Sequence, residues 1–232
     1  MKVALLGDIH GNHLALASVL AAAQRYSVER LLITGDLVGY YFAPDRVLEL
    51  LEPWNKVMVR GNHEEMLSSV IKDISLLTRL EAKYGSGLRM AVEKLSDDQL
   101  SELTELPATL NIEIDSRRVL LCHGSPWDTD QYIYPDAQEE ILTRCASPEI
   151  DVVVMGHTHY PMVRKVGATL LVNPGSVGQP RNRCPGAAWA IYDTDVGEVT
   201  RCHENYDYRP LMDEARTRHP ELPYLAEVLE RS

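Results

Sequence analysis

Apolar and polar positions fall into alternating blocks along the first sixty residues. Residues 2–6 form a short apolar run, and 13–25 carry Leu14, Leu16, Val19, Leu20 and Ala23 at helix-like spacing. Residues 30–34 are apolar again, and Pro44 opens a segment whose apolar positions are Val47, Leu48, Leu50 and Leu51. Residues 56–60 read Lys-Val-Met-Val-Arg. Strand and helix in alternation predict βαβ units and a largely parallel sheet. Residues 64–106 change character: Met66, Leu67, Val70, Ile71, Ile74, Leu77 and Leu80 keep helical spacing with no strand signal. Two or three helices are expected there, interrupted at Gly85-Ser86-Gly87, with Ser96 and Gln99 placed as a capping box. Strands resume at 109–114, 118–122 and 151–155. The stretches 161–166 and 169–172 read as a hairpin about Gly167-Ala168, and 187–193 with 198–203 as a second about Asp195-Val196-Gly197. From 209 the chain is helical in content, broken by Pro220 and Pro223, and is expected to pack on the surface.

Composition narrows the class. A chain of 232 residues that is 45% hydrophobic and 25% charged is an ordinary globular protein, long enough to bury a core without disulfides. No repeat or linker divides it, so a single domain over 1–232 is expected. Four cysteines with no C-x-x-C pair exclude a disulfide scaffold or a Cys-rich zinc module. Val3-Ala4-Leu5-Leu6 is stopped by Gly7-Asp8, too soon for an export signal, and no apolar stretch is long enough to span a membrane. Free thiols without an export signal predict the cytoplasm. The formal charge of −11 argues against nucleic acid or an anionic membrane as obligate partner, while a bound metal can still make one site locally positive.

Five times an apolar run ends in a small residue and metal-type ligands. Val3–Leu6 leads to Gly7-Asp8-Ile9-His10, Leu31–Ile33 to Thr34-Gly35-Asp36, and Val57–Val59 to Arg60-Gly61-Asn62-His63. Val119–Leu121 leads to Cys122-His123-Gly124, and Val152–Met155 to Gly156-His157-Thr158-His159. Runs apolar on both faces suit interior strands, and in open α/β sheets ligands bind beyond the strands' carboxyl ends. Asp8, His10, Asp36, Asn62, His123, His157 and His159 can therefore converge on one rim. Mixed N/O donors without thiolate suit Mn, Fe, Co, Ni or Zn. Seven donors are too many for one tetrahedral ion and suit two ions about 3.5–4 Å apart, an arrangement that clamps phosphoryl oxygens.

These blocks, in this order, resemble the calcineurin-like metallophosphoesterase superfamily: Asp8-x-His10, Gly35-Asp36, Gly61-Asn62-His63-Glu64, His123 and Gly156-His157-x-His159, over residues 1 to about 193. Gly7–Asn12, His123–Pro126 and Asn173–Gly178 are similar to its compact bacterial and archaeal branch, mostly single-domain phosphodiesterases and broad-specificity phosphatases. The resemblance implies an α/β fold, a two-sheet β-sandwich flanked by helices in four αββα layers, with segment 64–106 covering one edge. It implies a hydrolase of a small phosphoester, a phosphodiester before a phosphomonoester. Asp8, His10, Asp36 and His159 would hold one metal and Asp36, Asn62, His123 and His157 the other, manganese first among the candidates. The nucleophile would be a metal-bridging hydroxide, and His63 the catalytic acid near the leaving oxygen. Where the family more often has Asp after that histidine, this chain has Glu64, one methylene longer, so that if its carboxylate orients His63 the geometry of the pair differs. The rival reading is a non-catalytic scaffold of the same fold, as in the retromer, against which the intact ligand set argues. A DNA-repair nuclease of the superfamily would need a basic footprint the chain lacks.

Other residues keep two readings. Asn12 is equally a helix cap and a phosphate contact. Asn173–Ser176 reads as a structural turn beside the site. Arg181 and Arg183 read first as exposed loop cations, then as phosphate grips. Tyr40, Tyr41 and Tyr132 read first as packing residues, then as a base-binding wall. Cys122 reads as small and buried, and His13, His203 and His219 match no block.

Overall fold

Residues 1–232 are all described in the computed structural model, in which ten strands form two five-stranded sheets. The chain begins β1 (Lys2–Leu6), α1 (His13–Arg25), β2 (Arg30–Ile33), α2 (Pro44–Leu51), β3 (Lys56–Met58). Four helices follow: α3 (Asn62–Lys72), α4 (Leu76–Tyr84), α5 (Gly87–Lys94) and α6 (Asp97–Glu105). Then come β4 (Thr109–Ile114), β5 (Arg117–Cys122), α7 (Glu139–Cys145), β6 (Val152–Val154), β7 (Met162–Val166), β8 (Thr169–Asn173), β9 (Ala187–Asp193) and β10 (Glu198–Glu204). Helices α8 (Arg209–Arg218) and α9 (Tyr224–Glu230) end it.

The first sheet runs β10-β9-β1-β2-β3 and the second β4-β5-β6-β8-β7. Alternation along each strand divides the core into layers. Val3, Leu5 and Leu32 face Val119, Leu121, Val152 and Val154 between the sheets, while Ala4, Leu6, Leu31 and Ile33 face α1, α2, α3 and α5. On the far side Val153 and Leu171 meet Leu142 and Cys145 of α7. The result is the four-layer αββα sandwich.

Three details depart from expectation. Both sheets are mixed, because β9 pairs antiparallel to β1 and β4 antiparallel to β5. The third apolar run forms the edge strand β3, whose Lys56 and Val57 are half-buried. Residues 62–105 hold four helices, the first starting at Asn62; Asp73 and Gly85 separate α3, α4 and α5. Ser96 does cap α6, its Oγ accepting from Gln99 N and the Gln99 side-chain Oε1 accepting from Ser96 N.

The two tail helices do more than cover surface. They bury Tyr40, Tyr41 and Phe42, the segment after β2, beneath Leu211, Leu225 and Leu229. Tyr41 Oη donates to Leu225 O at 3.0 Å. His219 ties the tail to the loop before α5: its Nε2 accepts from Ser86 N at 2.9 Å, and Nδ1 meets Glu221 Oε1 at 2.9 Å.

Candidate metal centre

Strand register places the chemistry. In the parallel pair β1–β2, Leu6 lies beside Ile33, so both strands release the chain at one level. Beyond them Asp8 N–H donates to Gly35 O (3.1 Å), and the N–H groups of Ile9 and His10 both donate to Asp36 O (2.8 Å each). In the second sheet Leu121 lies beside Val154, and Gly156 N–H donates to His123 O at 2.6 Å. His157 N–H reaches the Asp8 carboxylate at 3.1 Å, joining the rims of the two sheets.

All seven sequence-derived donors gather there. One ligand atom each from Asp8, His10, Asp36 and His159 lie within 4.8 Å of one another, as do those of Asp36, His123 and His157, so Asp36 is common to both groups. Asn62 Oδ1 is 3.1 Å from His123 Nε2 and 3.1 Å from His157 Nδ1. Except for half-buried Asn62, all are buried.

Backbone carbonyls set the ring orientations. Nδ1 of His10, His123 and His159 meets Val38 O (3.1 Å), Thr34 O (2.7 Å) and Gln179 O (2.6 Å). His157 is turned round, with Nε2 on Asp130 O at 3.2 Å. A carbonyl only accepts, so the outward nitrogen carries a proton; in a neutral ring the inward one then offers a lone pair, the arrangement that prepares imidazole for metal. The inward nitrogens of His10 and His159 are 3.2 Å apart, and those of His123 and His157 also 3.2 Å. Lone pairs that close repel one another unless a proton or a cation lies between them. With two buried carboxylates beside them, the donors fit borderline divalent ions.

Electrostatics agree. Burial draws His10 and His159 well below the usual histidine range and His157 to about 4, so these rings are neutral at pH 7. Burial also opposes charge on His123, but Asp36 and then Asp8 outweigh it and hold the ring at about 10. Burial acts to raise both carboxyls: Asp8 rises to about 7 with Asp36 adding to the shift, whereas His123 and His63 hold Asp36 well below the ordinary range.

The backbone is strained at the same place. Asp8, His10, Asp36, His157 and His159 have φ between 52° and 67°, so five of the seven donors are left-handed. Asp and His tolerate this region better than most residues, at a cost of order 1–3 kcal/mol each. Gly61 packs against Asp36 so closely that a Cβ there would strike its carboxylate.

Glu64 does not orient His63. Its buried carboxylate accepts the N–H groups of Asp36 (2.8 Å), Gly61 (2.7 Å), Leu37 (2.8 Å) and Val38 (3.3 Å), gripping the loop that presents Asp36. Glu64→Gln keeps the volume but turns an NH₂ toward part of that donor set. It is expected to cost about 2–4 kcal/mol, a fall in Tm of roughly 4–16 °C, measurable by thermal unfolding of metal-stripped protein.

His63, in the first turn of α3, donates its N–H to Asp36 Oδ1 at 2.9 Å. Its ring lies 4.8 Å from those of both His10 and Tyr40, and its buried Nδ1 has no partner. Burial, partly opposed by Asp36, draws it to about 4. The ring faces a cleft of about 280 Å³, also lined by Asp36, Arg181, Tyr40 and Tyr132. Arg181 donates to Tyr40 Oη and Gln179 Oε1, each at 3.0 Å. Lys83, Tyr84 and Asp130 complete the wall. No motif marked these three, because they come from α4 and from the long connection after β5, which fold over the rim.

Other candidates lie elsewhere. Tyr41 is wholly buried under the tail, and Arg183 is exposed and outside the cleft lining. Asn12 is a cap: Oδ1 accepts from Ala15 N, and Nδ2 donates to Gly178 O and Tyr206 Oη. Asn173 Nδ2 donates to Gly156 O and Ser176 Oγ to Asp8 O, bracing the strand ends from behind. Cys122 is buried.

Comparison with known proteins gives this geometry a family. The family model described as the calcineurin-like phosphoesterase superfamily domain matches residues 1–197. The chain belongs to that superfamily. As a metallophosphoesterase it is a hydrolase of phosphoric esters, with a buried His/Asp cluster able to bind metal. The phosphodiesterase YfcE of Escherichia coli is 24% identical to this phosphoesterase over 209 residues, 86% of this chain and 91% of YfcE. A metallophosphoesterase from Sphaerobacter thermophilus superposes with a TM-score of 0.77 at 25% identity, over 97% of this chain and 98% of that one. A hypothetical protein from Pyrococcus horikoshii shares the fold, with a TM-score of 0.85 at 24% identity over 99% and 98% of the two chains.

Proposed function

We propose that this metallophosphoesterase is a phosphodiesterase that works with two divalent ions, manganese before iron, zinc, nickel or cobalt. Asp8, His10, Asp36 and His159 would hold one ion, and Asp36, Asn62, His123 and His157 the other. The observation that carries the reading is the sharing of one buried carboxylate, Asp36, by two donor groups. The diester is favoured over a monoester by the likeness to YfcE, named a phosphodiesterase. The whole chain is taken as one catalytic unit acting on a small-molecule ester in the cytoplasm. No helix is long and apolar enough to cross a membrane.

When bound, the ions supply Lewis acidity to the phosphoryl group and acidify an attacking water. The chain's own residues do the rest. Asp36, charged throughout the neutral range, offsets part of the positive charge that the ions bring. Arg181, held by Tyr40 and Gln179, and Lys83 set two cations on the cleft wall, where they neutralise phosphoryl oxygens. His63, neutral in the empty cleft, would take up a proton as the anionic diester enters and pass it to the leaving oxygen as the P–O bond breaks. Glu64 keeps the Asp36 loop in its left-handed turn.

Titrating metal-stripped protein with Mn²⁺ at pH 7 tests this. Binding is expected to saturate at two ions per chain and to release protons. They come from His123, held protonated up to about 10, and from Asp8, part-protonated near pH 7 in the empty site, since both must be deprotonated to coordinate. Turnover of bis(p-nitrophenyl) phosphate should appear with the ions. Fewer than two ions in fully active protein overturns the two-ion reading, and no turnover with any divalent metal overturns the hydrolysis.

A further inference from the structure

Beyond Asn62 the cleft adjoins a second cavity of about 360 Å³ between α3 and α4. Met66 and Ser69 of α3 line it, with Leu76, Arg79 and Leu80 of α4. Asn62 and Asp130 line this cavity and the metal cleft alike, so a molecule seated over the donors can extend into both. Its volume is within the range of small-molecule pockets.

The two spaces differ in chemistry. The cleft carries Lys83, Arg181 and three tyrosine hydroxyls. The α3–α4 cavity has a thioether and two leucines, and its charges are the carboxylates of Glu65 and Asp130 against the single guanidinium of Arg79. Arg60 pairs with Glu65 at 3.1 Å from outside. That balance offers no hold for a second anionic group, while Met66 adapts to a flat or branched apolar one and Arg79 can lie over an aromatic face.

Building on the phosphodiesterase reading, we propose that the α3–α4 cavity is the subsite for the second ester substituent of the substrate, and that this substituent is uncharged and apolar or aromatic. The substrate class is then a diester of a single phosphate with such a group on one oxygen. Monoesters leave the subsite empty, and polyphosphates would put negative charge beside Glu65 and Asp130.

Two substrates with one leaving group separate the subsite from the chemistry. Bis(p-nitrophenyl) phosphate and methyl p-nitrophenyl phosphate both release p-nitrophenolate and differ only in the group that stays on phosphorus. Ser69 is exposed on α3, so Ser69→Trp can fill the cavity without disturbing the core. The ratio of kcat/KM for the first substrate to that for the second is expected to fall about tenfold, mainly through KM, and about threefold in Met66→Ala. A binding readout stands beside the kinetics: in holoenzyme with ¹³C-methyl-labelled methionine, the Met66 resonance should shift with diphenylphosphinate, which has no P–O–C bond to cleave, and stay in place with inorganic phosphate. Unchanged ratios in both variants, or a Met66 resonance indifferent to diphenylphosphinate, overturn the subsite while wild-type diester turnover leaves the phosphodiesterase reading standing. Absence of diester turnover in the wild-type holoenzyme overturns that reading and the subsite with it.

Discussion

Asp36→Asn is expected to leave a folded protein that holds fewer than two ions and cleaves diesters about 10³-fold more slowly. Losing a partner that merely orients a ligand costs about 10–100-fold, and Asp36 belongs to both donor groups. Its Oδ2 is 3.6 Å from His10 Nε2 and 3.4 Å from His123 Nε2. Asparagine keeps the shape, the acceptor for His63 N–H and a tolerance of the left-handed backbone at φ 55°. It removes the charge that both ions would share. Elemental content and kcat/KM on the same preparation check this. A variant with two ions and near-native rate would show that Asp36 is not the shared ligand.

His63→Ala is expected to lower kcat by about 10²–10³-fold while both ions stay bound. The backbone N–H that His63 gives to Asp36 survives the change, so the donor groups keep their geometry. What goes is the ring between His10, Tyr40 and Tyr84. If that ring donates to the leaving oxygen, the loss must grow as the leaving group becomes more basic: modest for p-nitrophenolate, large for an alkoxide. A series of aryl and alkyl diesters measures this as a steeper dependence of log kcat on leaving-group pKa. An equal loss across the series would mean that His63 only fills space.

Much of this site could be read in the chain because strand ends are legible. A short apolar run stopped by glycine and a ligand marks where a strand leaves the sheet, and parallel pairing then brings distant ends together. Asp8 and Asp36 meet in this way, as do His123 and His157. What a strand end does not disclose is the conformation beyond it. Nothing local shows that Asp8, His10 and Asp36 turn left-handed, since Asp and His also occupy ordinary backbone. Glu64 follows the same logic. Adjacency to His63 leaves a side-chain pair open, but one turn into α3 its carboxylate points back at four backbone N–H groups. Arg181, which reads first as an exposed loop cation, is half-buried at the cleft, while Tyr41 packs in the core as its first reading has it; the surroundings of both are set by distant elements. The loop between β8 and β9 carries Arg181 to the cleft, and the tail helices seal Tyr41 away from it. The fourth helix among residues 62–105 has no punctuation in the sequence, because Asp73 and Ser75 break the spacing without glycine or proline.

Asp8, His10, Asp36 and Asn62 hang from one sheet, while His123, His157 and His159 hang from the other. Any cation gripped by both banks becomes a rivet across the seam of the sandwich. Part of its affinity is then the cohesion of the two halves, and a chelator added to stop turnover would also loosen the joint between them.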